Sequence, residues 1–276
     1  YWMPIDLYIG GKEHATMHLI YFRFFTKFLR DIGLLKIGEP TLNLFNQGML
    51  HKNGVVMSKS KGNVVTQDEI AEKYGIDTAR FFLLFVAGPD KDMEWDDKTV
   101  QGSYRFLRRV FALTEKKVTR NKDVKLESRM HKTIKLLTEN IENFEFNIAL
   151  VHLMEFVNYL SSKEEVTKES LETAALLINP FTPHLSEELW EKIGNMPFSS
   201  LQKWPAYDEK KIDEKLDAED ELVQNTISDI KSVMNLANVQ KPVKIRLFTA
   251  EEWKYAFLKN LKKEIGKTKK QSPTTP

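Results

Sequence analysis

Residues 51–66, HKNGVVMSKSKGNVVT, place a hairpin turn, a short strand and a polar loop in direct succession. Asn53-Gly54 is a typical two-residue hairpin turn, because both residues adopt positive φ at low cost. The loop that follows carries two lysines and two serines. Thr66 then stands three residues before Glu69, which is the spacing of a helix capping box. The stretch predicts two paired strands, a loop and a helix, and the loop suits either plain solvation or an anionic ligand.

The segment before the hairpin predicts an α/β unit. Residues 1–11, YWMPIDLYIGG, form an extended, partly apolar run that ends in two glycines. Residues 12–33 then place apolar side chains at helical spacing. A glycine turn between a strand and a helix lets backbone N–H groups approach a ligand closely. After the loop, residues 76–89 predict another helix, with Asp77 as its N-terminal cap.

The pattern changes to long amphipathic helices at about residue 96. We predict them at 97–119, 127–143, 146–162, 167–179 and 183–193. Their short connections favour an antiparallel bundle.

The C-terminal part predicts a different arrangement. An acidic stretch from residue 208 precedes a helix at 220–238, a strand at 243–249 and a helix at 251–266. The basic tail 267–276 is expected to be disordered.

Composition narrows the class of protein. The chain has 276 residues, of which 42% are hydrophobic, enough for two ordinary domains. It has no cysteine, which excludes disulfides, thiolate metal sites and a cysteine nucleophile. No apolar run approaches the roughly 18–20 residues that a membrane span needs, and no signal peptide is apparent. We therefore expect a cytoplasmic protein that does not act at a membrane.

Charge is segregated along the chain, although the formal net charge is only +2. Residues 101–132 contain ten Lys and Arg against three Asp and Glu, and residues 254–270 contain seven Lys against one Glu. Residues 133–200 contain four Lys against eleven Glu. Such segregation suits either a polyanion such as a nucleic acid or separately solvated helix faces.

The stretch MSKSKGN, residues 57–63, resembles the KMSKS loop of class I aminoacyl-tRNA synthetases. The resemblance implies that a mobile loop brings Lys59 to the ATP phosphates, where it neutralises charge growing on the leaving pyrophosphate. Ser58 and Ser60 would add hydroxyl donors to the same catalytic loop. Val56 occupies the position of the motif's first lysine, so that charge is missing unless Lys61 replaces it.

Residues 4–25, PIDLYIGGKEHATMHLIYFRFF, closely resemble a segment of the leucyl-tRNA synthetase family. The resemblance implies that Glu13 holds the ribose hydroxyls of ATP, and that Tyr8 and His18 line the leucine pocket. It also implies further ATP-binding positions, which are Gly11, His14, Met49 and Leu50.

Without the resemblance, other roles are open for these residues. His14 and His18 have the i,i+4 spacing of a metal pair, but Ala15 stands where a zinc motif has glutamate. No third ligand is evident, so we predict no protein-bound metal. Either histidine, or Tyr8, could instead be a packed core residue. Glu13 could serve only the dipole of the following helix.

The resemblance continues through residues 74–97, 105–110 and 178–194. It implies that the helical part binds tRNA through a basic patch made of Arg105, Arg108, Arg109 and Lys116. The implied fold is α/β followed by mainly α. It comprises the second half of a Rossmann-like class I catalytic domain, an antiparallel helical bundle that binds tRNA, and a small α+β segment. The corresponding ranges are 1–95, 96–207 and 208–266, followed by the tail 267–276.

Two features of such synthetases do not occur in this sequence: the HIGH signature and the inserted editing domain. We therefore expect a C-terminal portion or a split subunit of a leucine–tRNA ligase, inactive until the missing half is supplied in cis or as a separate chain. Phe24, Phe25, Phe28 and residues 81–86 are expected to contribute to that interface. The expected substrates are ATP with Mg²⁺, leucine and tRNA(Leu). The alternatives are a class I enzyme for methionine, isoleucine or valine, or a non-catalytic tRNA-binding fragment.

Overall fold

The computed structural model describes residues 2–240, 244–247, 249–255 and 257–258. The chain forms two compact units, Tyr1–Asp217 and Ala218–Pro276. The described α-helices are α1 His18–Asp31, α2 Gln67–Tyr74, α3 Ile76–Val86, α4 Asp97–Ala112, α5 Val124–Glu142, α6 Phe146–Ser162, α7 Lys168–Ile178, α8 Pro183–Lys192 and α9 Glu214–Leu236. The described strands are β1 Ile5–Gly11, β2 Thr41–Gln47, β3 Leu50–Lys52, β4 Val55–Val56, β5 Met93–Glu94, β6 Lys117–Thr119 and β7 Glu165–Thr167.

The first unit begins with a β–α–β arrangement. Strands β1 and β2 are parallel, with Ile5 opposite Thr41, and α1 forms the crossover between them. Two hydrogen bonds of 2.7 and 2.8 Å from Arg23 of α1 to Glu39 hold the helix beside the start of β2. These hydrogen bonds keep the pKa of Glu39 at about 2, well below its usual range.

The helix predicted from residue 12 is interrupted. Residues Lys12–Thr16 form a short 3₁₀ helix, and α1 begins only at His18. Met17 breaks the backbone between them, with φ of −128° and ψ of −100°. His14 and His18, which have i,i+4 spacing, therefore lie in two different helical segments.

The hairpin and the capping box are confirmed. Strands β3 and β4 pair antiparallel, and the turn residues Asn53 and Gly54 have φ of 55° and 73°. At the start of α2, the Glu69 N–H donates to the Thr66 hydroxyl and the Thr66 N–H donates to the Glu69 carboxylate. Strand β5 adds to β3 in parallel, so the polar loop lies between a three-stranded sheet and a capped helix.

The helical part contains α4 to α8 and one short sheet. The helix predicted at 97–119 ends at Ala112, and Lys117–Thr119 instead forms β6, which pairs in parallel with β7. The helix at 146–162 is confirmed without change. The helix predicted from residue 127 starts at Val124, because the Asp123 side chain accepts from the Leu126 N–H.

Helix α3 lies between two hydrophobic cores. Phe81 is fully buried in the bundle core, where its ring centroid lies 5.0 Å from that of Phe106. Phe82 is fully buried in a second core beneath the hairpin, 4.9 Å from the ring of Trp95. Phe81 and Phe82 therefore cannot contribute to the interface predicted for residues 81–86, because the two cores bury them completely; residues 83–86 are half-buried.

Two polar side chains of α3 tie it to the corner between α7 and α8. Asp77 is not the N-terminal cap of α3, which is Gly75. Its carboxylate accepts from the Leu185 N–H at 2.7 Å and lies 3.0 Å from His184 Nδ1. Arg80 donates to the backbone carbonyls of residues 180 and 181.

The α1 surface is apolar and exposed. Phe24, Phe25 and Phe28 have relative exposures of 60%, 56% and 49%. Over the described residues, no helix combines the length and the apolar character that crossing a membrane requires.

In the second unit, the strand predicted at 243–249 is absent at residues 244–247 and 249, where the backbone has no regular structure. Residues 252–255 and 257–258 are helical, as predicted for the segment that starts at 251. The prediction of a disordered tail at 267–276 lies outside the described residues.

Candidate functional site

The polar loop has a defined backbone. Residues Lys59–Lys61 form a single 3₁₀ turn, and Gly62 closes it with φ of 65°, a left-handed conformation that glycine adopts easily. The hydroxyls of Ser58 and Ser60 lie 2.8 Å apart. The turn therefore presents the two serine hydroxyls side by side.

Asn63 fastens the base of this loop, and sequence reasoning missed it. Its side-chain oxygen accepts from the Ser58 N–H at 2.9 Å. Its amide nitrogen donates to the carbonyls of Val55 and Val56 at 3.3 and 3.2 Å. The only available sequence signal was an asparagine after a loop glycine, a residue type that often bonds to nearby backbone.

Replacing Asn63 by alanine should loosen the loop. All three hydrogen bonds across its base are lost, so we expect faster tryptic cleavage after Lys59 and Lys61 in the chain alone. Mass spectrometry would count peptides that begin at Ser60 and Gly62. Asn63→Asp keeps the acceptor for Ser58 and should give an intermediate rate. Equal cleavage of all three proteins, with unchanged circular dichroism, would refute the role of Asn63.

The lysines of the loop carry uncompensated charge. Lys59 and Lys61 are exposed, and in the part of the chain that the structure describes neither ammonium has a hydrogen-bond or ion-pair partner. Val56 is half-buried in β4 opposite His51, so an apolar side chain fits its place in the sheet. The loop therefore carries one exposed lysine on each side of Ser60.

A second candidate site is a cavity of about 350 Å³ between β1, β2 and the start of α1. The Tyr8 hydroxyl lies 2.6 Å from His18 Nε2, and the Phe22 ring packs against both rings at 5.3 and 5.4 Å. The structure thus brings together Tyr8 and His18, which the sequence analysis assigned to one pocket. Leu44 and Asn46 of β2 also line the cavity and were not predicted.

The remaining residues of the first segment lie at the edge of this cavity. The Glu13 carboxylate folds back over Gly11, so a larger side chain at position 11 would require the flexible end of Glu13 to move. His14 also lines the cavity, and its buried Nδ1 has no hydrogen-bond partner within the described residues. The two histidine rings meet edge to face at 6.0 Å. Throughout the described ranges, no group of three or more His, Asp or Glu side chains is arranged to hold a metal ion.

Asp92 connects the first segment to Met49, the residue directly before β3. Its Oδ1 accepts from the Met49 N–H at 2.8 Å and from Lys12 Nζ at 2.7 Å. Two hydrogen bonds lower the pKa of Asp92: the one from Lys12 has the larger effect, and the one from Met49 the smaller. Asp92 was missed because both contacts are distant in sequence.

The predicted basic patch divides into two parts. Arg105, Arg108 and Arg109 are exposed on α4, where Arg109 covers the Phe106 ring at 5.7 Å. Lys116 does not join them, because its ammonium donates at 2.6 Å to the carbonyls of Ser161 and Lys163. These bonds satisfy carbonyls at the C-terminal end of α6, a favourable place for a cation.

Comparison with protein families gives two matches. Residues 2–105 match the family described as tRNA synthetases class I (M). Residues 123–248 match the anticodon-binding domain of tRNA ligase. The first match ends within α4 and the second begins just before α5.

Curated relatives are leucine–tRNA ligases. The chain is 47% identical over 238 residues to that of Thermosipho melanesiensis and 46% identical over 239 residues to that of Geotalea uraniireducens. Each alignment covers 78% of this chain and 29% of the relative. The chain thus spans less than a third of the length of these relatives.

Solved structures agree with this comparison. The ternary complex of Agrobacterium radiobacter K84 agnB2 LeuRS with tRNA and LeuAMS superposes with a TM-score of 0.65 at 31% identity, covering 76% of this chain and 29% of that one. Mycobacterium tuberculosis methionyl-tRNA synthetase shares the fold, with a TM-score of 0.54 at 22% identity, covering 71% of this chain and 45% of that one. The fold is therefore that of a class I synthetase with a helical anticodon-binding domain. Over the matched residues, the chain belongs to the class I aminoacyl-tRNA synthetases and is a homologue of leucine–tRNA ligases.

Proposed function

We propose that this chain is a portion of a leucine–tRNA ligase, which activates leucine with ATP and transfers it to tRNA(Leu). The observation that carries the proposal is the loop at 57–63, whose exposed Lys59 has no partner among the described residues and whose base is fastened by Asn63. In the reaction, the leucine carboxylate attacks the α-phosphate of ATP and pyrophosphate leaves. Lys59 stabilises the charge that develops on pyrophosphate, while Ser58 and Ser60 donate hydrogen bonds.

The ATP site in this proposal is formed by the two segments that Asp92 joins. Glu13 accepts from the ribose hydroxyls, Gly11 leaves room for that carboxylate, and His14 faces the nucleotide. The backbone of Met49 and Leu50 faces the adenine. ATP enters as its Mg²⁺ complex, so the metal arrives with the substrate.

The leucine pocket in this proposal is the 350 Å³ cavity. The hydrogen bond between Tyr8 and His18 holds both rings in place, and Leu44 adds an apolar wall. Such a cavity suits a small branched side chain, because it combines apolar walls with a few oriented polar groups.

The proposal requires a second half of the catalytic domain. We assign 1–95 to the later half of a Rossmann-like domain, 96–207 to the tRNA-binding helical bundle, and 208–266 to a small C-terminal segment. The exposed Phe24 and Phe28 of α1 support a covering partner that carries the HIGH signature, either in cis or as a separate subunit. The complete enzyme would act in the cytoplasm.

Pyrophosphate exchange tests this function. The chain, completed with the HIGH-containing half of a related leucine enzyme, would be assayed with leucine, methionine, isoleucine and valine separately. We expect ATP–pyrophosphate exchange with leucine. Exchange with methionine and none with leucine would assign the chain to a different class I enzyme. Tight tRNA binding without exchange of any amino acid would identify a non-catalytic tRNA-binding protein.

The arginines of α4 give a separate prediction for tRNA. Replacing both Arg105 and Arg108 by glutamine should weaken binding of a tRNA(Leu) transcript and reduce its salt dependence. Each lost phosphate contact lowers the slope of log K against log[salt] by roughly 0.7–0.9. Fluorescence anisotropy across a KCl series measures this slope.

Lys116→Gln is the matched control for the arginine variant. It removes one positive charge from the same basic region, but that charge is already bound to carbonyls of α6. We expect lower thermal stability and an unchanged salt slope. A salt slope that falls in the Lys116 variant and not in the arginine variant would overturn the assignment of the patch to α4.

A further inference from the structure

The proposed nucleotide site is assembled from two segments that are 35 or more residues apart in the chain. Lys12 to His14 supply its ribose side, and Met49 with Leu50 supply its adenine side. These segments adjoin different sheets: Lys12 follows β1, which pairs with β2, and Met49 precedes β3, which pairs with β4 and β5. The parallel pairing of β1 with β2 ends with Gly11 opposite Gln47, which brings the two segments close together. A side-chain contact between them then adds to this pairing.

One carboxylate oxygen provides this contact. Asp92 Oδ1 accepts from the backbone N–H of Met49 at 2.8 Å and from the ammonium of Lys12 at 2.7 Å. Lys12 directly precedes Glu13, so the position of Lys12 constrains where the backbone of Glu13 lies. Met49 directly precedes β3, so its amide constrains the start of the adenine side.

The backbone around Asp92 fixes where this oxygen lies. The Met93 N–H donates to the Met49 carbonyl and the Gly48 N–H donates to the Pro89 carbonyl, both at 2.9 Å. A side chain at position 48 would overlap the backbone of Lys91, so the glycine allows the two chains to approach this closely. Backbone hydrogen bonds before and after Asp92 thus hold this residue opposite Met49.

Fold stabilisation alone does not account for this arrangement. The side chains of Lys12 and Asp92 are 51% and 44% exposed, and exposed ion pairs contribute little to stability. The more direct consequence is positional, because one carboxylate oxygen holds an exposed lysine and a loop amide at the same place.

We propose that Asp92 is a positioning residue that fixes the separation of the ribose-side and adenine-side segments of the ATP site. It acts through Lys12 and through the backbone of Met49. The inference rests on the proposed function, which it deepens by adding a residue outside the recognised motifs.

Two measurements test the inference on Asp92→Ala, Asp92→Asn and Lys12→Met. In the completed enzyme, we expect Asp92→Ala to raise KM for ATP about tenfold, as loss of a charged hydrogen-bond network predicts, with KM for leucine nearly unchanged. Asp92→Asn retains an acceptor for Met49 and should show a smaller rise. In the chain alone, NMR should show faster hydrogen exchange of the Met49 amide in Asp92→Ala and little change in Lys12→Met.

Asp90→Ala is the matched control, because Asp90 lies in the same loop, has the same charge and pairs with the adjacent Lys91. It should change neither KM nor the Met49 amide. If Asp92→Ala leaves KM for ATP and Met49 exchange unchanged, the inference is overturned. A lower melting temperature with unchanged KM would also overturn it, since the residue would then be only structural. If the wild-type enzyme exchanges pyrophosphate with no amino acid, the proposed function fails, and Met49 exchange still decides whether Asp92 orders this segment.

Discussion

Lys59→Ala is expected to slow leucine activation by a factor of about 10²–10³ in the enzyme completed by its HIGH-containing half, the usual effect of removing one transition-state charge contact. The ammonium of Lys59 has no partner in the described part of the chain, so its substitution removes no hydrogen bond or ion pair there. Pyrophosphate exchange at saturating ATP and leucine measures the effect on kcat. The loss should appear mainly in kcat, because the contact strengthens as charge develops on pyrophosphate.

The matched control is Lys203→Ala, which removes the same charge from an exposed position after α8. It should leave exchange unchanged. Lys61→Ala addresses the missing charge at Val56: a loss comparable to that of Lys59→Ala would show that Lys61 replaces the first lysine of the motif. If Lys59→Ala retains activity within a few-fold of wild type, the loop has no catalytic role in this chain.

Phe81→Ala is expected to lower the free energy of unfolding of the first unit by about 3–5 kcal/mol, the usual cost of emptying a fully buried phenylalanine site. The Phe81 ring is 0% exposed and contacts the rings of Phe85 and Phe106. Its loss leaves a cavity that the surrounding helices can fill only in part. Urea unfolding followed by circular dichroism at 222 nm provides the measurement.

Phe28→Ala is the control for this substitution, because the Phe28 side chain is 49% exposed on α1. The free energy of unfolding should change by about 0.5 kcal/mol or less, as for other surface substitutions. Equal destabilisation by both variants would contradict the assignment of Phe81 to the bundle core.

Local rules predicted the features that depend on neighbouring residues. Asn53-Gly54 forms its turn and Thr66 forms its capping box because each interaction spans only a few positions. The helix at 146–162 was also found, since its apolar side chains recur with helical spacing over the whole length.

Features that depend on distant parts of the chain were missed. Strand β6 has three residues and is defined by its pairing with β7, which no local period reveals. Asp77 looked like a helix cap, but its carboxylate bonds to residues more than 100 positions away. Lys116 was predicted to be a surface cation, but its ammonium bonds to carbonyls at the end of α6, more than 40 positions away.

The candidate site follows the same division. The loop of Lys59 and the pair Tyr8 and His18 were identified from their resemblance to a known pattern. Asn63 and Asp92 belong to the supporting structure, and their contacts emerge only when strands and loops are placed together.

The burial of Phe81 and Phe82 on opposite sides of α3 affects how this protein can be recombined with others. The sequence changes character near residue 96, and a hybrid enzyme would naturally be joined there. Such a junction would leave Phe106 facing a foreign surface and would separate Arg80 from the carbonyls of residues 180 and 181. Phe82 and Trp95 fill the core beneath the hairpin. If α3 were instead moved together with the bundle, the loss of Phe82 would leave a cavity in that core. A hybrid enzyme should therefore take the hairpin, the lysine loop, α3 and the bundle together from the same protein.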